Sequence, residues 1–423
     1  MREMKDSGVE WIGEIPVDWK LNKIKHHFSI SSGTTPKSDE PEYWDGDIVW
    51  ITPADFKTDD VYVSKGHRNL SQEGYRVSSL QLVPAGSIIF SKRAPIGQVV
   101  INAIDLCTNQ GCLTAVLNDD SDVRFYRYVM SIATEEFELA GSGTTFKEIS
   151  ATSFGNILLP LTSKQEQTKC ADYLDVKSSK IDEIIEKQQA IIEKLKEYKL
   201  SIITEAVTSG INPDVEMKDS GSVWFGSIPI NWQMKRLKYV FHIQKDIAGE
   251  EGHTVLSITQ RGIIPKDFSN NEGQFANSYA NYQLVHKGDF AMNHMDLLTG
   301  WVDISKYEGV TSPDYRVFVL NDKNGMCPEY YLYMMQMCYN ARIFYGLGQG
   351  VSGMGRWRLQ ADKFLNFHIP IPPYDEQKII ADYITDKVNH IEVEIDKRNK
   401  LIEKYQEYKK SLIYEVVTGK KEV

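Results

Sequence analysis

Two long stretches of the chain carry apolar residues at helical spacing. In 166–207, Leu174, Ile181, Ile184, Ile191, Leu195, Tyr198 and Ile202 recur at intervals built from threes and fours. Ile384, Ile391, Leu401, Tyr405, Tyr408 and Leu412 repeat the stripe further on. Glu and Lys fill the other faces, as in EKLKEYK and EKYQEYKK, which suits a solvated coiled-coil exterior. The pattern predicts two helices of about 40 residues, roughly 60 Å each at 1.5 Å per residue. Gly210 and Pro213 stop the first and Gly419 ends the second. Short β-rich runs lie elsewhere: IVWIT (48–52), SIIFSK (87–92), GQVVINAI (97–104) and FHIPI (367–371). YYLYMMQMCYNARIFY (330–345) reads as a buried helix, with FYRYVMSIATEEFEL (125–139) as its counterpart.

The pattern is duplicated. MKDSGVEWIGEIPVDWKLNKIK (4–25) returns as MKDSGSVWFGSIPINWQMKRLK (217–238), identical at 11 of 22 positions. A second match joins 158–208 to 368–418, through pairs such as Pro160/Pro370, Glu166/Glu376, Gln167/Gln377, Tyr198/Tyr408 and Thr208/Thr418. Between these anchors the halves diverge. The order is therefore domain 1–162, helix 163–210, domain 211–373, helix 374–423. The fold class expected is α+β: two mixed α/β domains joined by two long helices. Paired antiparallel as a coiled coil, the helices would make a pseudo-twofold tandem repeat with a rigid spacer.

Composition narrows the class. No run of about 18 apolar residues marks a membrane span, and MREMKDSGVEW lacks an apolar signal segment. Five cysteines, never in a CxxC spacing, fit a reduced cytoplasmic protein without structural zinc. The net charge of −10 argues against sequence-independent coating of DNA. By segment the charge is −7 over 1–162 (15 basic, 22 acidic) and −1 over 211–373 (15 basic, 16 acidic). Any DNA binding must use local basic patches or a partner's charge.

Catalytic motifs are missing. Gly348, Gly350 and Gly353 spell G-x-G-x-x-G, but a helical stretch precedes them where a dinucleotide loop needs a strand. SPDY (312–315) lacks the second proline of an amino-methyltransferase tetrapeptide, and the other repeat reads NQGC there. It is expected to be a turn entering the strand YRVFVL. His26 and His27, and Asp105 near Cys107, have no companions that would make them metal ligands. A duplicated chain without a chemical centre suggests a binding protein.

DNA recognition needs donors for phosphate and side chains that reach base edges. SSGTTPK (31–37) offers Thr34, Thr35 and Lys37; SKRAPIG (91–97), at an apparent hairpin, offers Lys92 and Arg93; GSGTTFK (141–147) offers Thr144, Thr145 and Lys147. In the second domain GQGVSGMGRWR (348–358) offers Gln349, Arg356, Trp357 and Arg358. HMD (294–296) aligns with KRA (92–94), which makes His294 the analogue of Lys92. The domains differ at these positions, as reading two different half-sites requires.

With these motifs together, the whole chain resembles the specificity subunits of type I restriction–modification systems. The carriers are W-x-G-x-I-P-x-x-W (Trp11 to Trp19, Trp224 to Trp232), the exits LPLTSKQEQTKCADYL and IPIPPYDEQKIIADYI, and the helix ends from Glu197 to Thr208 and Glu407 to Thr418. The first exit departs from the pattern, with Thr162 and Ser163 where the second has Pro372 and Pro373. The resemblance implies two target-recognition domains, each reading one half of a bipartite double-stranded DNA site. It implies helices that set the gap and dock two methyltransferase subunits, with two restriction subunits completing the assembly. S-adenosylmethionine, ATP and Mg would sit on those partners, which methylate adenine N6, and no cofactor in this chain. A coiled-coil scaffold that binds only proteins is the competing reading.

Overall fold

The duplicated opening motif folds the same way twice in the computed structural model, which describes residues 2–57, 60–143, 147–268, 276–350 and 357–423. Met4–Asp6 pairs antiparallel with Glu14–Pro16, and Met217–Asp219 with Ser227–Pro229. Each pair ends by delivering a tryptophan, Trp19 or Trp232, that is wholly buried. Lys20–Lys23 then pairs with Leu158–Leu161, and Gln233–Arg236 with His368–Ile371. The two ends of each globular domain are thereby tied at the foot of a long helix.

Two units result: Met1–Gln188 with Lys400–Val423, and Gln189–Asn399. In the first, a five-stranded sheet runs in the order Phe28–Ser32, Cys112–Leu117, Ile88–Lys92, Ile96–Asn102, Tyr62–Val63. Phe90, Phe137 and Phe154 cluster on it, with ring centroids 4.6 to 5.4 Å apart. In the second, a four-stranded sheet orders Phe241–Gln244, Arg316–Leu320, Phe290–Met292 and Val302–Ile304. Burying these rings together with the aliphatic core around them drives folding of the first domain.

The helix expected over 125–139 is two helices, Val123–Ile132 and Thr134–Ala140. Its counterpart is likewise broken, into Pro328–Asn340 and Ile343–Leu347, with Arg342 left-handed at φ 55° between them. SPDY is the expected turn: the Tyr315 amide donates to Ser312 O at 3.0 Å, and the strand starts at Arg316.

The long helices run Lys164–Ser209 and Tyr374–Val417. Within the first unit they are antiparallel, Cys170 Sγ lying 3.9 Å from Val416 O while Lys409 bonds Asp182 at 2.6 Å. In the second unit Lys199 pairs with Glu392 at 2.6 Å, and Ile203, Ala206 and Val207 share a core with Ile380, Ala381 and Ile384. The expected stripe holds at Leu174, Ile181, Ile202, Ile384, Ile391 and Leu412, which are buried, but slips by one residue at two positions. Ile185 and Ile192 are buried, not Ile184 and Ile191, and Tyr198, Leu401 and Tyr408 are exposed. The buried set Ala171, Leu174, Ser178, Ile181, Ile185, Ile192 matches Ala381, Ile384, Val388, Ile391, Ile395, Ile402 at a constant offset, although Val388 is only partly buried. Both helices stop at a left-handed glycine, Gly210 (φ 77°) and Gly419 (φ 73°). A Cβ on Gly419 would lie 2.5 Å from the Pro16 ring, so packing as well as dihedral selects glycine there.

The Glu-Gln of each exit motif has a mechanical role. Gln167 accepts from the Asp122 amide at 2.9 Å and donates to Thr162 O at 2.9 Å. Gln377 repeats this with the Cys327 amide at 3.0 Å and Pro372 O at 2.9 Å. Asp122 and Cys327 are the N-caps of the domain helices, so each buried amide joins domain, exit loop and long helix. The neighbouring carboxylates differ: Glu376 accepts from Trp232 Nε1 at 2.9 Å, whereas Glu166 is held by Arg2 at 2.6 Å and Trp19 Nε1 has no hydrogen-bond partner among the described residues.

Candidate nucleic-acid interface

In the first domain SKRAPIG is a hairpin tip between Ile88–Lys92 and Ile96–Asn102, as expected. SSGTTPK is pinned by two indoles: Trp50 Nε1 donates to Thr34 O and Trp44 Nε1 to Lys37 O, both at 3.1 Å. Lys37 itself is exposed. Thr35 donates to Gln110, and the Lys92 amide donates to Gly111 O at 3.0 Å. Thr34, Thr35 and Lys92 are thus gathered around the 109–111 turn, and exposed Gln110 belongs with them. Sequence reasoning passes Gln110 over because its short turn contains neither a base nor an aromatic.

The cations of that hairpin are not free. Lys92 Nζ lies 2.8 Å from Glu148 Oε1 and Arg93 3.5 Å from Oε2. The hydrogen bond from Lys92 leads in holding the Glu148 carboxyl below the ordinary carboxylate range, with Arg93 adding to it. A groove of about 700 Å³ opens beside them, walled by Arg93, Pro95, Ile96, Glu138, Lys147 and Glu148. Its charges are mixed. Thr144 and Thr145 lie outside the described residues.

The second domain has the same frame. Glu148 bridges Ser142 by paired backbone bonds of 2.9 Å; Arg358 bridges Gln349 at 2.8 and 3.0 Å. The next amide in each case, Ile149 or Leu359, donates to the carbonyl of Lys92 or His294, at 3.1 and 3.0 Å. His294 is therefore the backbone counterpart of Lys92, and Arg358 of Glu148. The acidic clamp of one domain is replaced by a guanidinium in the other.

A cavity of about 240 Å³ results, lined by Lys245, Gln283, His294, Tyr315, Arg316 and Arg358. Arg316, 5% exposed, donates to Leu359 O at 2.8 Å and lies over the Phe364 ring at 5.0 Å. Burial lowers its guanidinium to about 10. Burial, then the charges of Arg316, Arg358 and Lys245, push the His294 imidazole down to about 3. His294 is consequently neutral at pH 7 and cannot serve as the positive analogue of Lys92; its Nδ1 is buried without a partner. Trp357 packs tilted against Tyr345, ring centroids 5.5 Å apart, and gives its indole N–H to Tyr345 O at 2.8 Å, so only its ring is available. Gln349 is exposed beside Arg358; Arg356 lies outside the described residues. Arg316 and Lys245 are additions to the sequence-based set. The available signal was an arginine heading an otherwise apolar strand, RVFVL.

Among the described residues no group of three or more His, Cys, Asp or Glu side chains is arranged to hold a metal, and no helix is long and apolar enough to cross a membrane. His27 bonds Asp119 at 2.9 Å and Asn22 at 3.0 Å. The five cysteines are buried and unpaired.

The fold is similar to that of solved chains. One, from work on complex assembly and conformational transition of the type I R-M system, superposes with a TM-score of 0.69 over 95% of this chain and 98% of that one, at 12% identity. The HsdS subunit from Thermoanaerobacter tengcongensis gives 0.50 over 96% and 98%, also at 12% identity. In sequence, the type I restriction enzyme MjaIX specificity subunit of Methanocaldococcus jannaschii is 36% identical over 190 residues, covering 44% of this chain and 43% of that protein. The match thus spans less than half of that relative. The MjaVIII specificity subunit of the same organism is 25% identical over 428 residues, covering 96% and 93%. The family model described as the type I restriction modification DNA specificity domain matches twice, over residues 16–198 and 229–404. These two matches take in most of the chain, and the chain belongs to the type I restriction modification DNA specificity domain family.

Proposed function

We propose that this chain is the non-catalytic DNA-reading subunit of a type I restriction–modification assembly in the cytoplasm. Each domain reads one half of a bipartite site, and the paired helices set the gap between the halves. Two methyltransferase subunits carry S-adenosylmethionine and methylate adenine N6; two restriction subunits use ATP and Mg. The observation that carries this reading is the twofold occurrence of the DNA specificity domain, over 16–198 and 229–404. The difference in loop chemistry between the copies supports it, since two half-sites of different sequence need two different readers.

Long-read methylation sequencing of DNA from cells co-expressing the chain with its neighbouring methyltransferase tests the reading. A two-part N6-methyladenine motif that depends on this chain is the expected result. Assembly of the complex without any new motif would favour the protein-binding scaffold instead. Insertion of one heptad into each long helix is expected to lengthen the gap by about three base pairs, from 1.5 Å per residue and 3.4 Å per base step, and to leave both half-sites unchanged.

A further inference from the structure

A guanidinium carries five N–H donors, and burying its charge is costly unless an anion or a full set of acceptors meets it. Arg316 meets one carbonyl, the Met292 sulfur at 4.0 Å and an aromatic face, and no carboxylate pairs with it among the described residues. The side chains of Arg358 and Lys245 likewise form no ion pair there. All three line one cavity with His294. Asp314 stands on the exposed rim, and Gln283 spends its amide N–H groups on Ser312 O and Tyr315 O at 2.8 and 2.7 Å. At about 240 Å³ the cavity is far larger than the ~10–15 Å³ one water requires. The first domain has no such site among its described residues, because Glu148 occupies the backbone position of Arg358 and neutralises its neighbours.

Resting on the DNA-reading role, we infer that Lys245, His294, Arg316 and Arg358 form a phosphate-binding pocket in the second domain that seats one phosphodiester of the DNA backbone. Arg316 and Arg358 supply charge and N–H donors, Lys245 at the mouth supplies a mobile charge, and His294 completes the wall. Such an interaction fixes register without specifying a base. The first domain, lacking it, must find its register elsewhere.

The test uses the full chain assembled with its methyltransferase. Duplex affinity is measured by fluorescence anisotropy across a salt series for the wild type, Arg358→Glu and Lys245→Gln. Lys245 is exposed and Arg358 uses only its backbone to hold the loop, so both variants keep the fold. The expected result is weaker binding, with the slope of log affinity against log salt flattened by about 0.9 for each phosphate no longer neutralised, and an unchanged methylated motif. Unchanged affinity and slope in both variants, with the motif still methylated, would remove the pocket and leave the DNA-reading role intact. A change at one base of the second half-site would make the pocket a base reader and overturn the phosphate assignment. Broadening of the phosphorus NMR line of inorganic phosphate by the wild type but not by Arg358→Glu, with duplex binding unaffected, would assign the pocket to free phosphate and likewise overturn it. Failure of the wild type to bind any duplex selectively would instead defeat the recognition role itself.

Discussion

Glu148 and Arg358 occupy the same backbone position in the two domains, each bridging a loop and each followed by an amide bonded to the carbonyl of Lys92 or His294. One neutralises a lysine and an arginine; the other joins two cations around a neutral histidine. The same contrast appears at larger scale in the segment charges, −7 against −1. The difference teaches that a duplicated frame can be held by backbone bonds while the charge inside it is inverted. Two domains can then share one fold and present surfaces of different charge.

The comparison can be broken at its base or sharpened at its centre. The largest effect is expected at the shared frame: Gln377→Ala leaves a buried amide and carbonyl unpaired and Gln167→Ala a part-buried pair, at about 1–3 kcal/mol each. Denaturant unfolding of the full chain should give similar losses for both; a large loss in one alone would mean the frames are not equivalent. Next, Glu148→Gln releases Lys92 and Arg93. Duplex binding by the methyltransferase complex should strengthen, and its salt slope steepen by up to about 1.8 for two freed cations. An unchanged slope would show that these cations do not face DNA. Trp232→Phe should cost about 1 kcal/mol more than Trp19→Phe, because only Trp232 bonds a carboxylate; equal midpoint shifts would contradict it. The smallest signal is at His294. Its imidazole is depressed to about 3, so its NMR resonance should stay flat from pH 8 to pH 5. The unfolded chain binds a proton near ~6.5 that the folded one refuses, so this stabilising contribution is present above that pH and is lost as pH falls toward 3. His294→Gln should therefore be less acid-labile than the wild type.

Much of the frame was legible in the sequence. The repeated tryptophan motif, the exit glutamines and the terminal glycines each correspond to a defined interaction. The helical phase was legible only in part: Leu174, Ile181 and Ile202 are buried as expected, but adjacent isoleucines at 184–185 and 191–192 offer two stripes only about 100° apart, and packing against the partner helix chooses between them. The candidate loops were found by their basic residues, and Gln349, Trp357 and Arg358 do fall together. What escaped was the sign of their surroundings: Glu148 lies 55 residues from Arg93, and Arg316 hides in an apolar strand, so pairing and burial emerge only once the sheet has formed.

The glutamine joints have a consequence for how such a gene diversifies. Gln167 bonds Asp122 N and Thr162 O, and Gln377 bonds Cys327 N and Pro372 O, all four of them main-chain atoms. Most substitutions within a recognition domain leave those atoms where they are. Recombination that exchanges one whole domain between alleles, with crossovers at the opening and exit motifs, would hand the incoming segment a socket that does not inspect its side chains. A domain could then be exchanged whole without remaking the joint.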